Sequence, residues 1–113
     1  MADEMKSKIV AIGNTATTLL TAVSGGTTVI SMLHIGNVDG TNSATVDIII
    51  NKDGGGDTTV LKNLNVAAGE SQVLYSYAAG RLILEDINTA DVLKATASAA
   101  GDLVATISYV ERT

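Results

Sequence analysis

Short β-branched runs, each ended by glycine, asparagine or aspartate, recur along almost the whole chain, and this punctuation restricts the fold more than any other feature. "ATTLLTAV" (16–23) gives way to Ser24-Gly25-Gly26, and "TTVISMLHI" (27–35) to the polar loop "GNVDGTNS". "ATVDIIIN" (44–51) leads into Gly54-Gly55-Gly56, "DTTVLKNLNV" (57–66) ends at "AAGE", and "SQVLYSY" (71–77) at "AAG". "RLILEDI" (81–87), "DVLKATAS" (91–98) and "DLVATISYVER" (102–112) complete the series. About eight segments spaced by roughly 8–12 residues imply an all-β sandwich or barrel.

Alternation supports strands. Val46, Ile48 and Ile50 share one face of their segment, opposite Asp47, Ile49 and Asn51. Leu103, Ala105, Ile107 and Tyr109 oppose Val104, Thr106, Ser108 and Val110 in the same way. The stretch 28–35 is apolar on both sides, with Val29, Leu33 and Ile35 facing one way and Ile30, Met32 and His34 the other. Such a strand is covered on both faces, or its outer face meets another subunit. Residues 82–100 hold Ala, Leu, Glu and Lys that suit a helix, but Thr and Ser at alternating positions favour strands. The first ten residues carry mixed charge without alternation and are read as a short helix or an extended arm, the alternative being a short first strand over Lys8 to Ile12 at the sheet edge.

A chain of 113 residues suits one domain. Its core must come from Val, Ile, Leu and Ala, because the aromatics are three tyrosines alone. Without large aromatic anchors, subunit association is an expected further source of stability. Net charge is −5, and the seven Lys and Arg are scattered, which disfavours nucleic acid. Asp3 and Glu4 precede the first apolar run and Gly13-Asn14-Thr15 interrupts it, so neither a secretory leader nor a membrane span is expected. The product is expected to be made in the cytoplasm.

Little here suggests chemistry. Gly54-Gly55-Gly56 lacks the following Lys-Ser/Thr of a phosphate loop and is bracketed by Asp53 and Asp57, so it reads as a hairpin tip. The EF-hand alternation of oxygen donors is missing there, and Asn37, Asp39 and Asn42 read as turn formers that bond their own backbone. His34 is the only histidine and cysteine is absent, so neither a Ser-His-Asp site nor zinc is expected. Glu85, Asp86 and Asp91 are numerous enough for a carboxylate pair but fall at segment ends, with no Trp or Phe platform for a sugar. No catalytic residue, cofactor or metal is expected. Tyr75 and Tyr77 share a strand face and suit either an interface or a core edge.

The stretches "TTVISMLHIGNVDGTNSATVDIII", "LKNLNVAAGESQVL" and "RLILEDINTADVLKATASAAGDLVATISYVE" carry a likeness over roughly residues 16 to 112. In order and turn pattern they resemble a family of small virion proteins of tailed bacteriophages from aquatic hosts. The matching positions are Asn37, then Ala68-Gly69-Glu70-Ser71, then Leu82, Leu84, Asp91 and Leu93, and finally Tyr109 with Glu111. Ala67 replaces a proline frequent in that family, and "INTA" (87–90) lengthens the acidic turn. The resemblance implies a β-sandwich on the outside of a virion, decorating the head or belonging to the neck, tail or baseplate.

The sequence therefore predicts a single antiparallel, jelly-roll-like β-sandwich of about eight strands over residues 14–113, preceded by an arm over 1–13 that reaches a neighbour. The expected role is that of a non-enzymatic capsid decoration or cement protein, working as a homotrimer against the major capsid protein. The alternative is a neck, tail or baseplate component that binds a host surface. Ile30, Met32, His34, Tyr75 and Tyr77 are the expected contact residues.

Overall fold

The hairpin at residues 51–57 shows how this sequence turns. Asp53, Gly54 and Gly56 all have positive φ (51°, 69° and 97°), and the Gly55 amide donates to the Lys52 carbonyl at 2.9 Å. At Gly54 a Cβ would also stand only 3.2 Å from the Thr89 methyl. Glycine adopts such backbone without steric penalty, and the triple glycine is the loop of a β-hairpin as expected.

A computed structural model describes residues 3–75 and 82–113, and among them all regular structure is strand. The strands are β1 (Asp3–Ala11), β2 (Thr17–Thr21), β3 (Thr27–Asn37), β4 (Ala44–Asn51), β5 (Asp57–Val66), β6 (Ser71–Tyr75), β7 (Leu82–Glu85), β8 (Val92–Ala97) and β9 (Leu103–Arg112). The helix considered for 82–100 is not formed; β7 and β8 lie there, their alternate residues buried against the core.

Two antiparallel sheets make up the sandwich. Sheet A has the order β1-β9-β3-β6, with β7 also on β3, and sheet B the order β2-β8-β4-β5. Strands pair as β1 with β9, β2 with β8, β3 with β6 and β7, and β4 with β5. This nested pairing is a long hairpin wound around a barrel axis, the jelly-roll arrangement. β6 meets β3 at Leu33–Gly36 and β7 meets it at Thr27–Ile30, so the two share one strand position. The core between the sheets is aliphatic: Ile12, Leu19, Leu33, Ile48, Leu93 and Ile107 are fully buried. Each such side chain contributes about 1.5–3 kcal/mol through burial.

The N-terminal arm is corrected. Residues 3–11 are an edge strand, paired residue for residue with β9 from Asp3↔Arg112 to Ala11↔Val104. Its alternation is hidden because Glu4, Lys6 and Lys8 fall on the core-side face, where the strand is exposed and no apolar set is required. Cross-strand charge takes the place of packing: Lys6 meets Glu111 at 2.6 Å and Arg112 meets Asp3 at 3.2 Å. Only at Val10 and Ile12 does the segment reach the core.

Candidate interaction surface

β3 determines which side chains sheet A presents outward. Ser31 is an extra residue opposite β9, since the register passes from Ile30↔Tyr109 to Met32↔Ser108. Its hydroxyl donates to the Ser108 carbonyl at 3.0 Å. Such a bulge shifts side-chain parity by one. Ile30, Leu33 and Ile35 therefore share the core, whereas Val29, Met32 and His34 face outward.

This corrects the expected contact set. Ile30 is fully buried in the core of its own chain, and Val29 takes the outward place. Met32 and His34 are half-buried on the outer face. Tyr75 pairs with Leu33 through its backbone, and Tyr77 lies outside the described residues.

Around Met32 and His34 the outer face continues across the sheet. β9 adds Val104, Thr106, Ser108 and Val110, and β1 adds Met5, Ser7, Ile9 and Ala11 in register with them. Val73 and Ile83 extend it on the far side. Met5 is 88% exposed, Ile9 73%, Ile83 53% and Val73 51%. Among the described residues, this face carries Asp, Glu, Lys or Arg only at one end, where Asp3 pairs with Arg112 and Glu85 closes the corner, and its middle holds the single imidazole of His34. A depression of about 310 Å³ opens beside the Ser31 bulge, bordered by Met5, Ser7 and Val110.

The outer face of sheet B is different. Lys94 meets Asp57 at 3.1 Å and Lys62 meets Asp47 at 3.6 Å, while threonines and asparagines occupy much of the rest. Polar outside and apolar inside is the ordinary state of a solvated antiparallel sheet. Sheet A departs from it.

The three carboxylates weighed for chemistry are occupied structurally. Asp91 is 1% exposed; its carboxylate accepts from Lys52 Nζ at 2.6 Å, from the Asp53 amide at 2.8 Å and from the Glu85 amide at 3.0 Å. Glu85 lies 3.5 Å from the same ammonium, and Asp86 accepts from the Gly25 amide at 2.9 Å. The cavity beside them, about 80 Å³ between Lys52, Asp53, Glu85, Ile87 and Asp91, is far below the roughly 300–1,000 Å³ of small-molecule sites. Together these contacts clasp the β4–β5 hairpin to the β7–β8 turn, where Asp53 also accepts from the Thr89 amide at 3.0 Å. The clasp is not legible in the sequence, because Lys52 and Asp91 lie 39 residues apart and nothing local to either announces the other.

At the opposite end the expected turn formers do bond backbone. The Asp39 carboxylate accepts from the Thr41 amide at 2.8 Å, and the Asn37 amide group donates to the carbonyls of Asn42 and Val66 at 2.9 and 3.0 Å.

These contacts give the molecule an acid limit. Burial alone would raise the Asp91 carboxyl, but the Lys52 hydrogen bond and the two backbone amides outweigh it and hold its pKa below 3.8. Asp39 is lowered by the Thr41 and Asn42 amides, and Asp57 by its hydrogen bonds from Lys94 and Asn51. Carboxyls lowered on folding stabilise above the unfolded value and lose that contribution as pH falls through the folded one. Lys6 and Lys52 are raised above 10.5 by Glu111 and Asp91 respectively, so their contribution persists below that value and fades above it. The melting temperature should therefore be nearly flat from about pH 5 to 9 and fall below about pH 4. Calorimetry across this range, with Asp91→Asn showing a shallower acid decline, checks the assignment.

No protein-family model matches the sequence, and no curated protein is significantly similar to it. Among solved structures, one described as "Bacillus endospore appendages form a novel family of disulfide-linked pili" superposes with a TM-score of 0.52. The match covers 97% of this chain and 86% of that one at 15% identity. At this identity the likeness concerns the fold, and it agrees with the two-sheet sandwich described above.

Proposed function

We propose that this protein is a non-enzymatic structural subunit of a bacteriophage virion, a capsid decoration protein that stabilises the head as a homotrimer. The virion assignment rests on the sequence resemblance. The observation that carries the mode of action is the outer face of sheet A, uncharged across its middle and bordered by exposed Met5, Ile9, Val73 and Ile83. Contiguous apolar surface of this kind marks contact with other proteins. Its span, three strands of 9–11 residues with the shorter β6 and β7 sharing a fourth position, is roughly 500–700 Å², close to the ~800 Å² per partner of a standard interface. Further copies of this chain suit it, packed head to tail around a three-fold axis, because an uncharged face abuts a neighbouring copy without repulsion while offering a charged partner nothing to pair with.

A second reading, a subunit that polymerises into a surface fibre, is favoured by the superposition on a pilus protein. The disulfide linkage named for that neighbour has no counterpart here, since this chain has no cysteine. Cryo-electron microscopy of purified phage, compared with the protein alone at high concentration, separates the two. Symmetric density on the head supports decoration; its absence from the virion, or filaments of the protein alone, overturns it.

A further inference from the structure

β1 is attached to the molecule in an unusual way. Seven of its nine residues are exposed in unbroken succession, from Asp3 to Ile9, on both faces of the strand. Its substantial contacts with another strand are those with β9, which it borders over nine aligned residues. The firm anchor comes immediately after, at Ile12, which is fully buried and whose amide donates to the Leu103 carbonyl at 2.9 Å. Residues 13–16 then form a short link to β2, with Gly13 at its start and bends at Asn14 and Thr15.

We propose that residues 3–12 are exchanged between copies of this chain, β1 of one subunit pairing with β9 of the next and Ile12 filling the next subunit's core. The inference rests on the reading of the protein as a self-assembling structural subunit. Everything that holds β1, the register on β9, the Lys6–Glu111 and Asp3–Arg112 ion pairs and the Ile12 site, is reproduced identically in any other copy. Exchange therefore changes no contact except those of the link, which is why swapping an identical element is a low-cost route to association. The strand's position at the sheet edge lets it leave without dividing the sandwich. Passed in one direction around three subunits, the exchange closes as a trimer; without closure it propagates as a fibre. In both cases the side of β9 that its own β1 leaves is taken by the β1 of a neighbour.

The absence of cysteine makes the test clean. Ser7 and Ser108 face each other across β1 and β9, within the Cα separation of roughly 4.5–5.5 Å that a disulfide spans. The full-length chain carrying Ser7→Cys and Ser108→Cys, refolded at high concentration and oxidised, should run on a non-reducing denaturing gel as a covalent trimer or ladder that collapses with reductant. Mixing the two single variants, one isotopically labelled, should give labelled–unlabelled disulfide dimers several-fold above the self-linked dimer that the Ser7→Cys variant forms alone. Closure within each chain only, or self-linked dimers of the Ser7→Cys variant only, overturns the exchange. Sedimentation of the same samples separates the two proposals. Larger species with intrachain disulfides defeat exchange but leave assembly standing, and monomers throughout defeat both.

Discussion

Asp91→Ala is expected to lower stability by about 2–3 kcal/mol, the cost of leaving two backbone donors and an ammonium without their shared acceptor. Asp91 is buried, and its two oxygens receive the Asp53 amide, the Glu85 amide and Lys52 Nζ. Its backbone is engaged as well: the Ala22 amide donates to the Asp91 carbonyl, and the Asp91 amide to the Glu85 carbonyl, at 2.9 and 3.0 Å. Truncation spares these backbone bonds but frees the β4–β5 hairpin from the end of β7. For a domain of this size the melting temperature should fall by roughly 8–15 °C. Asp91→Asn keeps one acceptor while losing the charge, and should cost about 1 kcal/mol. Lys52→Met should cost less again, because its side chain is 62% exposed and exposed ion pairs contribute roughly 0–1 kcal/mol. Thermal or urea unfolding of the three variants gives the order directly. An alanine variant within about 0.5 kcal/mol of the parent would show that the hairpin is held by something other than this carboxylate.

Much of the sandwich was legible because turn residues and alternation are local signals. The boundaries of "ATVDIIIN" and "DTTVLKNLNV" match β4 and β5, and the polar loop after β3 closes through Asn37 and Asp39 as its residue types suggest. What escaped depends on partners distant in sequence. β1 was obscured because strand residues exposed on both faces need not alternate between apolar and polar, and its pairing with β9 spans nearly the entire chain. Ile30 was misassigned because parity counted along the sequence assumes an unbroken ladder, and nothing in "VISML" announces that Ser31 is bulged. The outer face of sheet A was only half visible. Met32 and His34 were found as the reverse side of an apolar strand, but Met5, Ile9 and Thr106 join them only once the order β1-β9-β3 is known.

Thr106→Lys tests that face at its centre. Thr106 stands between Ile9 on β1 and His34 on β3, outward and half-buried. In the isolated subunit a lysine there can extend into solvent, so the melting temperature should change by only a few degrees. In an assembly that covers the face, the same ammonium is buried without a partner, at a cost of several kcal/mol. Association should then weaken by roughly a hundredfold or more, each 1.4 kcal/mol being a factor of ten. Sedimentation velocity at micromolar concentration is the decisive measurement: the parent should sediment as a trimer and Thr106→Lys as a folded monomer. A parent that remains monomeric, or a Thr106→Lys variant that assembles as the parent does, would contradict the assignment of the outer face of sheet A as the surface through which the protein associates with itself.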